Sequence, residues 1–334
     1  MNSSNRSYFV DKEDQKMLAQ NVFVVAIGLV GAILNSFVCL VLFYSNHSHQ
    51  SLDKLIAHLS LNDLLASLSI AVSYILNALT ITNREVIFRL SRLAGTILCK
   101  TNLVLVSLTI TNSNLILAAI SIDRYRAIIH PLALPLHKVK SNVIITIFWL
   151  ISIGIGILIA NFHELSASYP YRCSITNNHT IALIIVLIFA IFGYIIPFLI
   201  ISISYSIIIK KILTVKPPMD NSEYQRRQKS RLRQRNKGIT VLSTASSSIF
   251  IITLGTLVTG LLIDNEFYSK LTIAFWTFFQ ISGTIMLLPC VINPMLYNFA
   301  STNFKSAARS LLQKWNVKTG TGNRIRLMFY SNGN

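Results

Sequence analysis

The chain has 334 residues, of which 52% are hydrophobic and only 13% are charged, with a formal net charge of +18. Soluble domains usually carry about 25% charged residues, and the apolar residues here form blocks of about 18 or more, so the composition excludes an ordinary soluble protein and indicates membrane spans. A charge this positive suggests nucleic-acid binding in a soluble protein. No nucleic-acid partner is expected here, because the basic residues lie between apolar blocks.

Seven apolar segments follow a polar N-terminal tail of residues 1–20. We expect membrane spans at residues 22–44, 52–80, 96–130, 142–162, 181–212, 238–263 and 271–299. They form one bundle over residues 21–299, followed by an amphipathic helix on the membrane surface at residues 302–315 and a cytoplasmic tail at residues 316–334. The predicted fold is an all-α membrane protein, a seven-transmembrane helix bundle with a short amphipathic eighth helix.

The positions of the basic residues predict how the bundle is oriented. With the N-terminus outside the cell, 21 Lys and Arg residues lie on the cytoplasmic side and 9 on the outer side, as the positive-inside rule expects. The basic segments also form a surface for anionic membrane lipids. We therefore expect a multi-pass plasma-membrane protein with an extracellular N-terminus. Glycosylation sequons begin at Asn2, Asn5 and Asn178, all on the outer side.

The third predicted span contains more polar residues than a helix facing lipid on all sides tolerates. They lie near its middle: Ser107, Thr109, Thr111, Asn112, Ser113 and Asn114. Polar groups in the membrane cost free energy unless neighbouring groups satisfy them. We therefore expect this helix at the centre of the bundle, where partner helices supply hydrogen bonds.

The four cysteines divide into two groups. Cys39 and Cys290 lie within predicted spans and are expected to be packed thiols. Cys99 and Cys173 fall on the outer side, where oxidation is possible. We predict a disulfide between them, although the sequence by itself does not fix the connectivity.

An ordered set of motifs resembles the rhodopsin-like (class A) G-protein-coupled receptors over about residues 20–315. The matching positions are Asn35, Asp63 in LSLNDLL, Cys99, Ser113, Asp123-Arg124-Tyr125, Trp149, Cys173, Pro197 with Tyr205, NPMLY from Asn293 to Tyr297, and Phe304. Each motif by itself is weak, but the whole set in this order and at these depths is specific. The resemblance implies a receptor, not an enzyme, that binds an extracellular ligand and activates heterotrimeric G proteins.

The resemblance assigns the G-protein coupling and activation residues, which are Asp123, Arg124, Tyr125, Leu132, Tyr205, Asn293, Pro294 and Tyr297. It implies that Arg124 pairs with Asp123 in the resting receptor and is released on activation. Tyr205 and Tyr297 then move toward it, bridged through water. The alternative is an interfacial arginine whose charged end reaches the membrane surface.

Asp63 is the only carboxylate deep within a predicted span, where an unpaired charge is costly. The resemblance implies that Asp63 and Ser113 hold a sodium ion within a polar network that includes Asn35 and Asn293. No other cofactor is expected. The alternative is a protonated Asp63 that hydrogen-bonds to Asn35 and Asn293.

The predicted ligand pocket is mainly apolar. Its residues are Tyr74, Asn77, Val106, Ser107, Ile110, Leu257, Val258, Leu261, Phe275, Trp276, Phe279 and Gln280. Val106 stands where amine receptors keep an aspartate, which favours a peptide or a small non-amine ligand. Basic residues around the mouth either attract an acidic ligand or face lipid headgroups.

The sixth predicted span departs from the family pattern. Leu254 stands where the family usually has a tryptophan, and Thr256 where it has a proline. We expect a weakened restraint on the resting state and raised basal signalling. The alternatives are a non-signalling or decoy receptor and, more remotely, a transporter, against which the absence of an internal repeat argues.

Overall fold

The computed structural model of the chain describes residues 3–44, 51–82, 92–130, 138–165, 173–175, 179–214, 287–300 and 302–319. Nearly all of these residues are helical. The helices are α1 (Ser3–Phe43), α2 (Ser51–Thr82), α3 (Arg92–Ile129), α4 (Lys138–Asn161), α5 (His179–Ala190), a π-helical turn (Ile191–Ile195), α6 (Ile196–Thr214), α7 (Leu288–Ala300) and α8 (Thr302–Thr319).

Five helical segments within the described residues are long and apolar enough to cross a membrane. In lipid a helix satisfies its own backbone hydrogen bonds, which is why apolar blocks of this length become helices. α5, the π-helical turn and α6 together form the fifth segment. α2 to α6 begin and end close to the predicted span bounds. The predicted sixth span and the first part of the seventh lie outside the described residues.

α1 begins well before the predicted first membrane span. The helix begins at Ser3, within the segment predicted as a polar tail, rather than near residue 22. Once the apolar part of a helix has formed, each further residue adds a backbone hydrogen bond at little cost. The polar residues before the span therefore extend the helix instead of interrupting it.

α3 lies at the centre of the described bundle. It contacts α2, α4, α6, the π-helical turn and the β1 strand described below. Its 38 residues extend over about 57 Å at 1.5 Å per residue, so its ends project beyond a hydrocarbon core of about 30 Å. The polar residues of its middle are all buried, with exposed fractions between 0% and 7%. The prediction of a central third helix is confirmed.

Glycines let the helices approach closely at two places. A Cβ atom on Gly31 of α1 would lie 2.7 Å from the Ser67 hydroxyl oxygen of α2. A Cβ atom on Gly156 of α4 would lie 2.9 Å from the Val104 carbonyl oxygen of α3. Without a driving force from water inside the membrane, such close backbone packing is what holds neighbouring helices together.

A short hairpin, which the sequence analysis did not predict, follows α4. Strand β1 (His163–Leu165) pairs antiparallel with β2 (Cys173–Ile175), with Leu165 opposite Cys173. β1 contacts both α3 and α4. The hairpin therefore brings the backbone of Cys173 to the end of the bundle where α3 begins.

α8 packs along the other end of the bundle. Phe304 is 4% exposed and belongs to an apolar cluster with residues of α1, α2, α3 and α4. Ala308 and Leu311 pack against the same cluster. This agrees with the predicted apolar side of an amphipathic helix, although α8 continues to Thr319 rather than ending near residue 315.

Candidate functional site

Asp63 joins three helices in the interior of the bundle. The Ser113 hydroxyl of α3 donates a hydrogen bond to Asp63 Oδ1 at 2.6 Å, and Asn293 Nδ2 of α7 donates to Asp63 Oδ2 at 2.8 Å. Asp63 is 1% exposed and Asn293 is also 1% exposed. Each carboxylate oxygen therefore has a donor from a different helix, and Asp63 contacts two of the other three predicted network residues.

A second layer of amides connects α2 to α3 beside this carboxylate. Asn112 Nδ2 donates to Asn62 Oδ1 at 3.1 Å, and Asn62 Nδ2 donates to the Thr109 carbonyl oxygen at 2.8 Å. Asn112 and Thr109 belong to the polar residues predicted for the middle of α3, but their pairing with Asn62 was not predicted. A buried amide needs a hydrogen-bond partner, and the sequence predicts this need. It does not predict which residue becomes the partner.

Asn35 of α1 has a different role from the one expected for it. Its Nδ2 donates to the Gly31 carbonyl oxygen at 2.8 Å and to the Cys290 carbonyl oxygen at 2.7 Å. The alternative that placed Asn35 on the Asp63 carboxyl is therefore not what this geometry shows. The reason is local: the α-helical donor for the Cys290 carbonyl would be residue 294, which is proline and has no N–H.

The residues around Asp63 have the chemistry that a sodium ion requires. Hard cations bind oxygen ligands, and the set offers a carboxylate, the Ser113 hydroxyl and the Asn293 carboxamide oxygen. Asn293 Oδ1 and Asn35 Oδ1 are both buried, and neither has a hydrogen-bond partner within the described part of the chain. Buried oxygens of this kind normally have a partner, so the residues present fit the implied ion.

The predicted contact at the end of α3 is present. Arg124 Nη2 lies 3.2 Å from Asp123 Oδ2, and the two side chains are 19% and 21% exposed. Arg124 Nε is buried without a hydrogen-bond partner among the described residues. The guanidinium is thus held beside its neighbour with part of its donor capacity unused.

Two predicted tyrosines lie near this ion pair. Tyr205 of α6 is 3% exposed and belongs to an apolar cluster with Ala118, Ile201 and Ile208. Tyr125 packs against that cluster and makes an edge contact with His130, with ring centroids 5.9 Å apart. The cluster joins α3 to α6 just inside the ion pair.

The described part of the predicted pocket lies on α2 and α3. Val106 and Ile110 are half-buried, Ser107 is buried, and Tyr74 is half-buried. Between these helices the Ser73 hydroxyl donates to Asn102 Oδ1 at 2.6 Å, a contact that the sequence analysis did not predict.

Several predicted site residues lie outside the described residues or have no described side chain. The first group is Asn2, Leu132, Asn178, Leu257, Val258, Leu261, Phe275, Trp276, Phe279 and Gln280, and the second is Asn5, Asn77, Cys173 and Tyr297. Leu254 and Thr256 of the predicted sixth span also belong to the first group. All of these assignments remain predictions.

The cysteines follow the division expected from their positions. Cys39 and Cys290 are free thiols, whereas Cys99 is disulfide-bonded. Cys173 is the remaining cysteine of the chain. It is the partner that we propose for Cys99.

Comparison with known proteins identifies the family. The family model described as "7 transmembrane receptor (rhodopsin family)" matches residues 34–297. The chain belongs to the rhodopsin family of seven-transmembrane receptors. Its fold is accordingly the seven-helix bundle, and it is a multi-pass membrane protein. The rhodopsin family is one of receptors rather than enzymes, and its members in general partner with extracellular ligands and G proteins.

Curated relatives within the rhodopsin family are distant. The chain is 26% identical to human "C-X-C chemokine receptor type 5" over 304 residues, 86% of this chain and 74% of that receptor. It is 27% identical to mouse "C-C chemokine receptor type 7" over 231 residues, 64% of this chain and 56% of that receptor. It is 28% identical to "QRFP-like peptide receptor" of Branchiostoma floridae over 138 residues, 40% of this chain and 34% of that receptor. The chain thus spans little more than half of one of these relatives and a third of another.

Proposed function

We propose that this chain is a plasma-membrane receptor, with its N-terminus outside the cell, that binds an extracellular peptide and activates heterotrimeric G proteins. The observation that carries the proposal is Arg124 at the end of α3, paired with Asp123 at 3.2 Å. An arginine that only faces the membrane surface needs neither a neighbouring carboxylate nor the adjoining apolar cluster that contains Tyr205. Arg124 has both.

The ion pair is suited to being opened. Both side chains are about one-fifth exposed, and partly exposed ion pairs contribute only about 0–1 kcal/mol. This pair by itself therefore adds little to the free energy that a ligand has to supply in order to release Arg124. The released guanidinium then meets the G protein, together with Leu132, which follows α3 in the sequence, while Tyr205 and Tyr297 move toward it.

A sodium ion at Asp63 and Ser113 is part of the proposal. It would be held in the resting state by the oxygen-rich interior that joins α2, α3 and α7. Its charge would offset that of the buried carboxylate, so it stabilises whichever arrangement keeps these three helices together. Asn293 belongs to the same network and to the NPMLY segment, which connects the ion site to the activation residues.

A peptide is the ligand class that the proposal favours. Two relatives are named for chemokines and one for a peptide. Val106 offers no carboxylate for an amine. Basic residues near the predicted outer mouth, including Lys100 at the beginning of α3, would attract an acidic peptide by electrostatic steering.

Ligand-free coupling in cells tests the proposal. Wild type and Arg124→Ala are expressed at equal surface level with a panel of G-protein activation sensors. We expect a basal signal from wild type with at least one sensor and its loss in Arg124→Ala. Arg126→Ala is the matched control, because it removes the same charge from the same helix end while Arg124 and Asp123 both remain, and it keeps the signal.

Two outcomes would contradict this proposal. A signal that survives in Arg124→Ala shows that Arg124 is an interfacial residue only. Absence of signal from well-expressed wild type across the panel supports the decoy alternative and removes the basis for raised basal activity.

A further inference from the structure

The fifth membrane segment contains a backbone carbonyl that its own helix does not satisfy in the usual way. In an α-helix the Gly193 carbonyl would accept from the N–H of residue 197. Residue 197 is proline, which has no N–H. The N–H of Ile196, the residue before the proline, donates to the Ile191 carbonyl in the π-helical turn. Pro197 therefore leaves the Gly193 carbonyl without its α-helical donor, and a buried carbonyl favours a hydrogen-bond partner.

The donor comes from the central helix. Asn114 Nδ2 of α3 donates to the Gly193 carbonyl oxygen at 2.6 Å. Asn114 is 3% exposed, so the bond lies in the interior of the bundle.

The same arrangement occurs at a second proline in this chain. Pro294 deprives the Cys290 carbonyl of its α-helical donor, and Asn35 Nδ2 of α1 supplies one at 2.7 Å. In both cases a buried asparagine of one helix replaces a hydrogen bond that a proline removed from another. The repetition indicates that the contact of Asn114 has a defined structural purpose and is not incidental.

We propose that Asn114 is a latch that holds the π-helical turn, and with it the fifth segment, in the resting arrangement by replacing the hydrogen bond that Pro197 lacks. α6 continues directly from the turn and carries Tyr205 in the cluster beside Arg124. A movement of α6 relative to α3 therefore has to break this bond. The signalling consequence rests on the G-protein coupling proposed above, whereas the structural role does not.

A double-mutant cycle tests the structural role. Asn114→Leu is made in wild type and in Pro197→Ala, which restores an N–H that is able to donate to the Gly193 carbonyl. The readouts are thermal melting of the full-length receptor in lipid nanodiscs and hydrogen exchange of the amides in residues 191–196. Asn112→Leu is the matched control, because Asn112 is also buried on α3 but donates to Asn62.

We expect Asn114→Leu to lower the melting temperature and to speed exchange in residues 191–196 by roughly 5-fold or more. In the Pro197→Ala background the same substitution should have a much smaller effect. Asn112→Leu should have the same effect in both backgrounds and leave exchange in the turn unchanged. If Asn114→Leu cannot be purified, Asn114→Ser, whose side chain is too short to reach the carbonyl, takes its place.

Equal effects of the Asn114 substitution in both backgrounds, or unchanged exchange in the turn, would overturn the latch. Basal signalling provides the separate test of its consequence: we expect it to rise in Asn114→Leu. If wild type signals, and Asn114→Leu exchanges its turn amides faster without signalling more, the regulatory role is overturned. If no variant signals at all, the G-protein proposal fails and the exchange data still decide the latch.

Discussion

At Asp63, the bundle interior joins α2, α3 and α7 through one carboxylate and two donors. The bonds from Ser113 and Asn293 are 2.6 and 2.8 Å long, and hydrogen bonds to a charged group contribute about 1.5–3 kcal/mol each. The carboxylate is therefore a connection between helices as well as a candidate ion ligand. These two functions are separable by experiment.

The sodium site predicts a cation-specific gain in stability. Wild-type receptor should melt at a higher temperature in sodium chloride than in potassium chloride of equal ionic strength. A sodium concentration ten times Kd corresponds to about 1.4 kcal/mol. Asp63→Asn should abolish this difference, measured by thermal melting of purified receptor.

Asp53→Asn is the control for this experiment. Asp53 is the other buried carboxylate of α2, 2% exposed, and lies outside the predicted network. The Asp53→Asn receptor should keep the difference in melting temperature between sodium chloride and potassium chloride, even if it melts at a lower temperature in both. A wild-type receptor that melts identically in both salts would exclude the ion site and leave Asp63 as a purely structural residue.

The sequence predicts which residues need partners better than which partners they find. Asp63 and Ser113 were placed together by resemblance, and their contact is present. The Asn62 to Asn112 pair and the latch at Asn114 were not predicted. Their geometry depends on the rotation and depth of α3 relative to its neighbours, and this is set by packing rather than by residue type.

At the scale of whole helices, the contact between α3 and α4 depends on a missing side chain. A Cβ atom on Gly156 would lie 2.9 Å from the Val104 carbonyl oxygen and 3.3 Å from the Val104 Cα. Both are backbone atoms, which cannot move aside without moving the helix. Gly154, one half-turn away, has nothing within 4 Å of the corresponding position.

These two glycines make a matched pair of substitutions. Gly156→Ala should force α3 and α4 apart and destabilise the receptor by about 1–3 kcal/mol, the usual cost of overpacking. Gly154→Ala should be neutral or slightly stabilising, because alanine is the better helix former. Melting of the two variants side by side measures this, and equal melting temperatures would show that the close approach does not limit stability.

The elements themselves were largely predictable, for a physical reason. A continuous apolar block of about 20 residues in lipid satisfies its backbone hydrogen bonds by forming a helix, so its length and position suffice for the prediction. The π-helical turn and the β1–β2 hairpin were not predicted. A π turn is a change of one residue in hydrogen-bond spacing, and strands of three residues are too short for a periodic pattern to show.

At the scale of the whole molecule, we propose a population shift between two bundle arrangements. The proposed resting arrangement is the one that contains the Asp63 network, the Asn114 bond and the Arg124–Asp123 pair. The first two join α3 to another element and the third lies at its end, so we propose α3 as the helix that connects the interior to the proposed G-protein surface. Ligand binding has to favour the other arrangement by differential contacts.

The most direct test of the central claim is nucleotide exchange by a purified heterotrimeric G protein in the presence of this receptor alone. Full-length wild type, Arg124→Ala and Arg126→Ala are compared in lipid nanodiscs without ligand, using the G protein identified in cells. The account predicts that wild type and Arg126→Ala accelerate exchange over empty nanodiscs, and that Arg124→Ala does not. Equal acceleration by Arg124→Ala, or none by wild type, would contradict it.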